Sequence, residues 1–158
     1  MSKRKSIPLS KSIDLESLSY SLPWKDFEEF SESIFQSFGY STRRNFRLKK
    51  PRMEVDLLAE RNRIAFAVDC KHWKRTVGHA SMVSISEKQA LRAKRIADDS
   101  AFEKVMPVVL TWRDESLFIL ENNVPIVPIS RLSDFILNWD TSEWKILSFV
   151  RGCSGLKN

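Results

Sequence analysis

The sequence predicts an α/β domain of three layers, in which helices cover both faces of a central mixed sheet. The predicted elements follow the order helix, strands, helix, strand, helix, strand, helix. This alternation is typical of mixed sheets that carry helices on both faces. Two apolar runs, "IAFAV" and "VMPVVLTW", are short and continuous, as expected of strands that are buried on both sides.

The first helix is predicted over "SLPWKDFEEFSESIFQSFGY". Pro23 suits its first turn, and Gly39 ends it. The apolar residues recur at helical spacing and form one stripe, which consists of Trp24, Phe27, Phe30, Ile34, Phe35 and Phe38. The next segment, "YSTRRNFRLKKPR", is predicted to be a strand or an exposed loop.

Two adjacent strands, "MEVDLLAE" and "IAFAVDCK", follow and are joined by a turn at "RNR". The next predicted elements are a helix over "VSISEKQALRAKRIADD", the strand "VMPVVLTW", a short helix over "ESLFILENN" and the strand "VPIVPI". A final helix covers "SRLSDFILNW", with Ser130 as its N-cap. The folded domain is expected at 21–140, between a basic flexible arm at 1–20 and a C-terminal extension at 141–158.

The composition indicates a globular protein with a polyanionic partner. The chain has 158 residues, of which 42% are hydrophobic, and it carries a net charge of +6, which favours nucleic acid or an anionic surface. Two cysteines, Cys70 and Cys153, do not make a disulfide scaffold, so a reducing, cytoplasmic compartment is expected. No signal peptide and no apolar run of membrane-spanning length is recognisable, so no membrane partner is expected.

The "IAFAVDCK" strand ends in charged residues that are candidates for a functional site. Side chains alternate along a strand, so Asp69 and Lys71 share one face and Cys70 lies on the other. A turn at 62–63 sets a register in which Asp56 of the preceding strand lies directly across from Asp69. Two carboxylates that face each other at roughly 5 Å repel each other unless a cation lies between them.

A set of oxygen ligands favours a hard divalent cation, and Mg²⁺ is the usual one beside phosphate. Lys71 would stand next to this metal, where an ammonium group stabilises developing negative charge or helps to position and deprotonate water. The alternative is an ordinary surface ion pair between Asp69 and Lys71 at an exposed strand end. The register that brings Asp56 to the same place favours the metal site.

These residues resemble the signature of the PD-(D/E)XK nuclease superfamily, and they are most similar to archaeal Holliday junction resolvases and Mrr-type restriction endonucleases. "DFEEFSESIFQSFGY", "EVDLLA" and "AVDCK" stand in the order of the "FE" helix, the "VD" strand and the "(D/E/Q)xK" strand of those proteins. The resemblance covers about 22–138 and implies a restriction-endonuclease-like fold. The chain departs from the pattern because no Pro precedes Asp56 and because the preceding loop is rich in Lys and Arg instead of Gly.

The resemblance also implies the roles of individual residues. Asp56 and Asp69 correspond to metal ligands, the backbone carbonyl of Cys70 to a further ligand, and Lys71 to the catalytic lysine. The Glu of the "FE" pair matches Glu28, which would complete the metal site.

Helix periodicity supports Glu28 independently. Glu28 lies roughly 90° from the mean direction of the apolar stripe, at the margin of the buried face, whereas Glu32 lies roughly 125° away. Glu29 is nearly opposite the stripe, on a side that is predicted to be solvated.

Basic residues near the motif are expected to bind DNA phosphates. Six of the ten residues at 43–52 are basic. The expected contacts are Arg43, Arg44, Arg47, Lys49 and Lys50, together with Lys74 and Arg75 after the motif. Gln89, in the downstream helix, is a candidate neighbour of the active site that does not bind the metal itself.

The sequence therefore indicates a DNA endonuclease that depends on Mg²⁺, for which Mn²⁺ can substitute. Cleavage selective for DNA structure, as in a Holliday junction resolvase, and restriction-like cleavage are both open. Two alternatives are a catalytically silent DNA-binding module and a nuclease subunit of a larger complex. Because cleavage of both strands takes two sites, a homodimer is expected, and a protein partner could supply target specificity.

Overall fold

The computed structural model of this chain describes residues 24–73, 77–112, 119–141 and 145–151. The elements in chain order are α1 (Trp24–Ser37), β1 (Ser41–Lys49), β2 (Arg52–Arg61), β3 (Ile64–Lys71), α2 (His79–Asp99), β4 (Lys104–Thr111), β5 (Ile119–Glu121), β6 (Val124–Pro128), a 3₁₀ turn (Ile129–Arg131) and α3 (Leu132–Asn138). The strands form one sheet in the order β1-β2-β3-β4-β6-β5. β3, β4 and β6 run parallel, and the other pairs are antiparallel.

The helices lie on both faces of this sheet, so the predicted three-layer α/β fold is confirmed. One face packs against α1 and α3, in a core that includes Phe27, Phe66 and Phe135. The other face packs against α2 through Ala93 and Ile96. The side chains of β3 from Ala65 to Cys70 are all buried, as expected of a central parallel strand.

Local sequence determines where α1 ends. Gly39 has φ of 81°, a left-handed conformation in which a residue without Cβ is favoured. Its N–H donates to the carbonyl of Gln36, and the N–H of Tyr40 donates to the carbonyl of Phe35. The rings of Phe35 and Tyr40 pack 5.7 Å apart, which completes a Schellman motif. This end fixes the direction in which β1 leaves the helix.

Two asparagine-containing turns set the register of the hairpins. Asn62 and Arg63 have φ of 52° and 64°, which is a type I′ turn, and β2 and β3 pair on either side of it. Asn122 and Asn123, with φ of 51° and 62°, make the same kind of turn between β5 and β6. The prediction of a helix over "ESLFILENN" is therefore wrong at 119–123, because this second hairpin recruits Ile119–Glu121 as an edge strand.

Other local predictions also need correction. The segment after α1 is the edge strand β1, so the alternative of a loop at 43–52 is wrong for most of its length. Ser130 does not cap the last helix, because it lies inside the 3₁₀ turn and α3 begins after Arg131. The helix predicted from Val83 begins earlier, at His79.

The described part of the C-terminal extension packs on the domain. Phe149 and Val105 exchange two backbone hydrogen bonds of 2.9 Å, and the Leu147 N–H donates to the carbonyl of Asn123. The predicted N-terminal arm, Lys74 and Arg75 lie outside the described residues. Within the described ranges, no helix combines the length and the apolar character needed to cross a membrane.

Candidate active site

The candidate site lies where β2 and β3 stop pairing. Their ladder keeps the predicted register but ends at the pair Leu57 and Val68, so Asp56 and Asp69 lie one step beyond the last paired residues. At the next position, the N–H of Cys70 donates to the side chain of Asp56, with 2.7 Å between Cys70 N and Oδ2. A carboxylate thus takes the position that a β2 carbonyl would occupy if the ladder continued.

This contact also orients the Cys70 carbonyl. The N–H and the C=O of a strand residue point to the same side of the strand, so the carbonyl of Cys70 faces the gap beside Asp56. The backbone groups of Lys71 point to the opposite side of the strand, towards β4, and its carbonyl accepts a hydrogen bond from the N–H of Trp112, with 3.3 Å between N and O. One backbone oxygen therefore lies at the side of the two aspartates.

Asp69 is buried and lies between two cationic side chains. Only 4% of the residue is exposed. Lys71 Nζ lies 2.8 Å from Oδ2, and Arg92 Nη1 lies 3.4 Å from Oδ1. Oδ2 accepts no hydrogen bond of good geometry within the described part of the chain, so its contact with Lys71 is an ion pair. This buried oxygen is available to a further cation.

The α1 helix brings a third carboxylate, Glu28, near enough to Asp56 to act on it electrostatically. Glu28 is 9% exposed, and Phe27 beside it packs edge-on against Trp112 with 4.9 Å between ring centroids. This aromatic contact holds the start of α1 against the C-terminal ends of β3 and β4. Trp112 thus belongs to the core, as its sequence context predicts.

The electrostatics of Asp56 reflect this crowding. Burial raises the pKa of Asp56 from 3.8 to about 6, and the nearby Asp69 and Glu28 carboxylates add to the rise. The N–H of Cys70 and the ammonium of Lys71 act in the opposite direction. Burial also raises the pKa of the Cys70 thiol, which lies on the opposite face of β3 among apolar residues. Cys70 therefore offers its carbonyl, and not its sulfur, to the site.

The donor set fits a hard divalent cation. Among the described residues, no three His, Cys, Asp or Glu side chains are grouped closely enough to hold a metal by themselves. Mg²⁺ does not need such a cage, because it retains several waters and binds through one or two carboxylates. Asp56, Asp69 and the Cys70 carbonyl offer oxygens at this strand end, with Glu28 near Asp56, and the contact of Asp69 Oδ2 with Lys71 shows that the buried carboxylate already attracts a cation.

Gln89, predicted as a neighbour of the site, connects α2 to it. Its side chain is fully buried, and Nε2 donates to the carbonyl of Ala67 at 2.7 Å. With the amide nitrogen held there, the amide oxygen accepts from Arg92 Nη1 at 3.1 Å. Arg92 was not among the site residues predicted from the sequence. The signal that identifies it is its spacing three residues after Gln89, which puts both on one helix face.

The three arginines of β1 are already paired with carboxylates. Arg44 contacts Glu29 at 3.1 Å and Glu32 at 3.0 Å, while Glu29 stays exposed on the side of α1 that was predicted to be solvated. Arg43 pairs with Glu60 at 3.7 Å, and Arg47 pairs with Glu54 at 2.7 Å. Surface ion pairs of this kind are weak, about 0–1 kcal/mol, so they do not prevent an exchange for phosphate.

Comparison with known proteins identifies the family. Residues 19–98 match Mrr_cat, a restriction endonuclease family, and this range includes α1, β1, β2, β3 and nearly all of α2. The chain belongs to the Mrr_cat family. The predicted PD-(D/E)XK superfamily is thereby confirmed, and so is the restriction-endonuclease-like fold. An Mrr_cat domain has a nuclease-type function with DNA as its substrate, and its superfamily generally uses divalent metals.

Two similar proteins have no known function. An uncharacterized protein of Archaeoglobus fulgidus is 30% identical over 118 residues, which cover 73% of this chain and 90% of the relative. A crystal structure of a protein of unknown function superimposes with a TM-score of 0.41 at 17% identity. That match covers 54% of this Mrr_cat chain and 46% of the other chain.

Replacing Gln89 with Leu should lower the free energy of unfolding by roughly 1–3 kcal/mol, because a buried hydrogen-bonding amide is lost at similar volume. Gln36→Leu is the matched control, since Gln36 is an exposed helix residue whose amide bonds to Thr42. The control should change stability by less than about 0.5 kcal/mol in urea unfolding. Equal effects of the two substitutions would contradict a structural role for the Gln89 contacts.

Proposed function

We propose that this protein is a Mg²⁺-dependent endodeoxyribonuclease, with Mn²⁺ able to replace Mg²⁺. The observation that carries the proposal is the meeting of Asp56 and Asp69 at the end of the β2–β3 ladder, next to Lys71. Asp56, Asp69 and the Cys70 carbonyl would hold the cation, and Glu28 would bind it directly or through water. When bound, the cation activates water for attack on phosphorus and stabilises the leaving oxygen.

The side chains of the chain itself divide the remaining work. Lys71, held against Asp69, orients the attacking water and stabilises negative charge on the phosphate oxygens. Glu28 would accept a hydrogen bond from a water molecule in the site, because its carboxylate lies at the edge of the core next to Phe27. Burial of Asp69 strengthens these interactions, since charges act more strongly where water is excluded.

The DNA would approach along the exposed basic strand. We assign phosphate contacts to Arg43, Arg44 and Arg47, with Lys49 and Lys50 at the end of β1 and Lys74 and Arg75 beyond the motif. Their present partners are exposed carboxylates, which a phosphate can replace at little cost. A homodimer would bring two such sites to the two strands of a duplex or junction, and a partner protein could supply target specificity.

The first test is cleavage of labelled DNA by variants of the two aspartates. Asp69→Asn and Asp56→Asn should each lower the cleavage rate in Mg²⁺ by at least about 100-fold while DNA binding is retained or tightened. The double variant should be no worse than either single variant, because both residues serve one metal. Asp98→Asn, which removes an exposed carboxylate paired with Lys94, is the control.

The panel of substrates should contain a four-way junction, a flap, a duplex and a single strand, each with Mg²⁺, Mn²⁺ or EDTA. Preferential cutting of the junction supports a resolvase-like activity, and cutting of the duplex supports a restriction-like one. Binding without cutting of any substrate would contradict the endonuclease proposal and support a catalytically silent DNA-binding module. Unchanged cleavage by Asp69→Asn would overturn the metal assignment.

Among the α1 carboxylates, only the buried one should matter for catalysis. Glu28→Gln is expected to lower the cleavage rate by about 10–100-fold. Glu29→Gln loses an exposed pairing with Arg44, and Glu32→Gln affects contacts with Arg44 and Thr42 only, so their rates should stay within about threefold of the wild type. Thermal melts would check folding in all three variants. A damaging Glu29→Gln with a harmless Glu28→Gln would refute this assignment.

Salt dependence should show whether DNA lies along β1. Replacing Arg43, Arg44 and Arg47 together with Ala should reduce the slope of log affinity against log salt concentration by about 2–3, because each lost phosphate contact releases one counterion fewer. Arg131→Ala, on the exposed N-terminal side of α3, is a control that should leave the slope unchanged. An unaltered slope in the triple variant would mean that DNA binds to another surface.

A further inference from the structure

We propose that Arg92 is a phosphate-binding residue of the active site, held on Asp69 while no divalent cation is bound and transferred to a DNA phosphate when one binds. The inference rests on the proposed function and adds a residue and a coupling to it. It assigns to α2 a direct part in binding the substrate.

The first observation is that both oxygens of Asp69 already face cations. Oδ2 lies 2.8 Å from Lys71 Nζ, and Oδ1 lies 3.4 Å from Arg92 Nη1. A divalent cation that binds Asp69 takes one of these oxygens and repels both side chains. The Arg92 contact is the longer of the two and therefore the weaker. Arg92 is thus the partner that leaves most readily.

The second observation is that Arg92 keeps a position beside the site when Asp69 is withdrawn. Its Nη1 also donates to Gln89 Oε1 at 3.1 Å. Gln89 cannot turn away easily, because it is fully buried and its Nε2 is bonded to the carbonyl of Ala67. This second anchor holds the guanidinium at the mouth of the site.

The third observation is that most of the guanidinium is free to bind a ligand. Within the described ranges, the polar contacts of Arg92 all use Nη1, so Nη2 and Nε remain available. The side chain is 28% exposed, which is enough for contact with a molecule in the site. A guanidinium presents paired donors that match two phosphate oxygens, and such bonds are stronger than those between neutral groups.

The competing interpretation is a structural ion pair between α2 and β3. A structural pair would stabilise the fold with or without metal, and its loss would affect DNA binding equally in both conditions. Transfer to phosphate predicts a different pattern. If metal binding releases Arg92 to a DNA phosphate, bound metal raises the affinity for DNA and bound DNA raises the affinity for metal by the same factor. Part of this coupling should be lost when Arg92 is replaced.

The experiment compares Arg92→Gln and Arg92→Lys with Lys94→Gln. Lys94 lies on the same helix and pairs with Asp98, so its substitution removes one positive charge without touching the site. Affinity for a labelled duplex is measured by fluorescence anisotropy in Ca²⁺, which takes the same oxygen ligands as Mg²⁺, and in EDTA. Binding of Mn²⁺ without DNA is measured by calorimetry.

Arg92→Gln should bind DNA about tenfold more weakly than the wild type in Ca²⁺ and about equally well in EDTA. It should bind Mn²⁺ about threefold more tightly, because a cation competing for Asp69 is gone. The DNA affinity of Arg92→Lys in Ca²⁺ should lie between those of the wild type and Arg92→Gln, because lysine keeps the positive charge but lacks the paired donors of the guanidinium. Lys94→Gln should show the same small loss of DNA affinity with and without Ca²⁺.

A second pair of variants tests the same transfer without any metal. Asp69→Asn frees Arg92 from its charged partner, so it should bind DNA more tightly than the wild type in EDTA. Adding Arg92→Gln to Asp69→Asn should remove that gain. If the double variant keeps it, the gain comes from the lost carboxylate alone, and the role of Arg92 is overturned.

The outcomes separate this inference from the proposed function. If the wild type binds Mn²⁺ and gains DNA affinity in Ca²⁺ while Arg92→Gln behaves like Lys94→Gln, the Arg92 proposal is wrong and the metal site stands. Equal loss of DNA affinity by Arg92→Gln in Ca²⁺ and in EDTA would also overturn the transfer. A wild type that neither binds Mn²⁺ nor responds to Ca²⁺ would overturn both.

Discussion

The hydrogen bond from the Cys70 N–H to the carboxylate of Asp56 organises the candidate active site. It ends the antiparallel ladder of β2 and β3 with a side chain, so the two strands stay in register up to the point where their charged residues begin. Beyond that point β2 remains paired with β1 as far as Arg52, while β3 continues to pair with β4 as far as Lys71. The gap between them is lined by Asp56, Asp69 and the Cys70 carbonyl, because the pairing that would have filled it has stopped.

Burial of the Asp56 and Asp69 carboxylates at the end of the sheet destabilises the folded protein unless positive charge or hydrogen-bond donors lie beside them. Buried carboxylates are destabilised unless they are paired, and here Asp69 receives two cationic side chains while Asp56 receives a backbone donor. These three partners stabilise the two carboxylates while no divalent cation is bound. In the proposed mechanism, the same two residues, Lys71 and Arg92, would bind the phosphate of the substrate. The two ion pairs with Asp69 would therefore keep these cationic side chains next to the position where the phosphate of the substrate is proposed to bind.

Much of this could be predicted from sequence because the signals were local. The Asn62–Arg63 turn sets the register, and the ladder keeps that register up to the pair Leu57 and Val68, one step before the two aspartates. The apolar stripe of α1 shows which side of the helix faces the core, and this was enough to predict that Glu28 is buried and Glu29 is exposed. Gly39 marked the end of that helix because its left-handed conformation favours a residue without Cβ.

The remaining features depend on contacts between elements that are distant in sequence. The run "ESLFIL" has helical composition, yet Ile119–Glu121 pairs with β6 because the Asn122–Asn123 turn and the free edge of the sheet favour a strand. The role of Arg92 depends on Gln89 being anchored to Ala67 on a different element. The sequence of α2 contains several basic residues, but it could not show which of them reaches Asp69.

Crystals soaked with Mn²⁺ would locate the cation directly through its anomalous scattering. One Mn²⁺ should lie between Asp56 and Asp69, about 2.0–2.3 Å from an oxygen of each and near the Cys70 carbonyl, with Arg92 moved away from Asp69 Oδ1. A Mn²⁺ bound elsewhere, or an unoccupied Asp56–Asp69 gap at saturating Mn²⁺, would contradict a metal-dependent active site at this strand end.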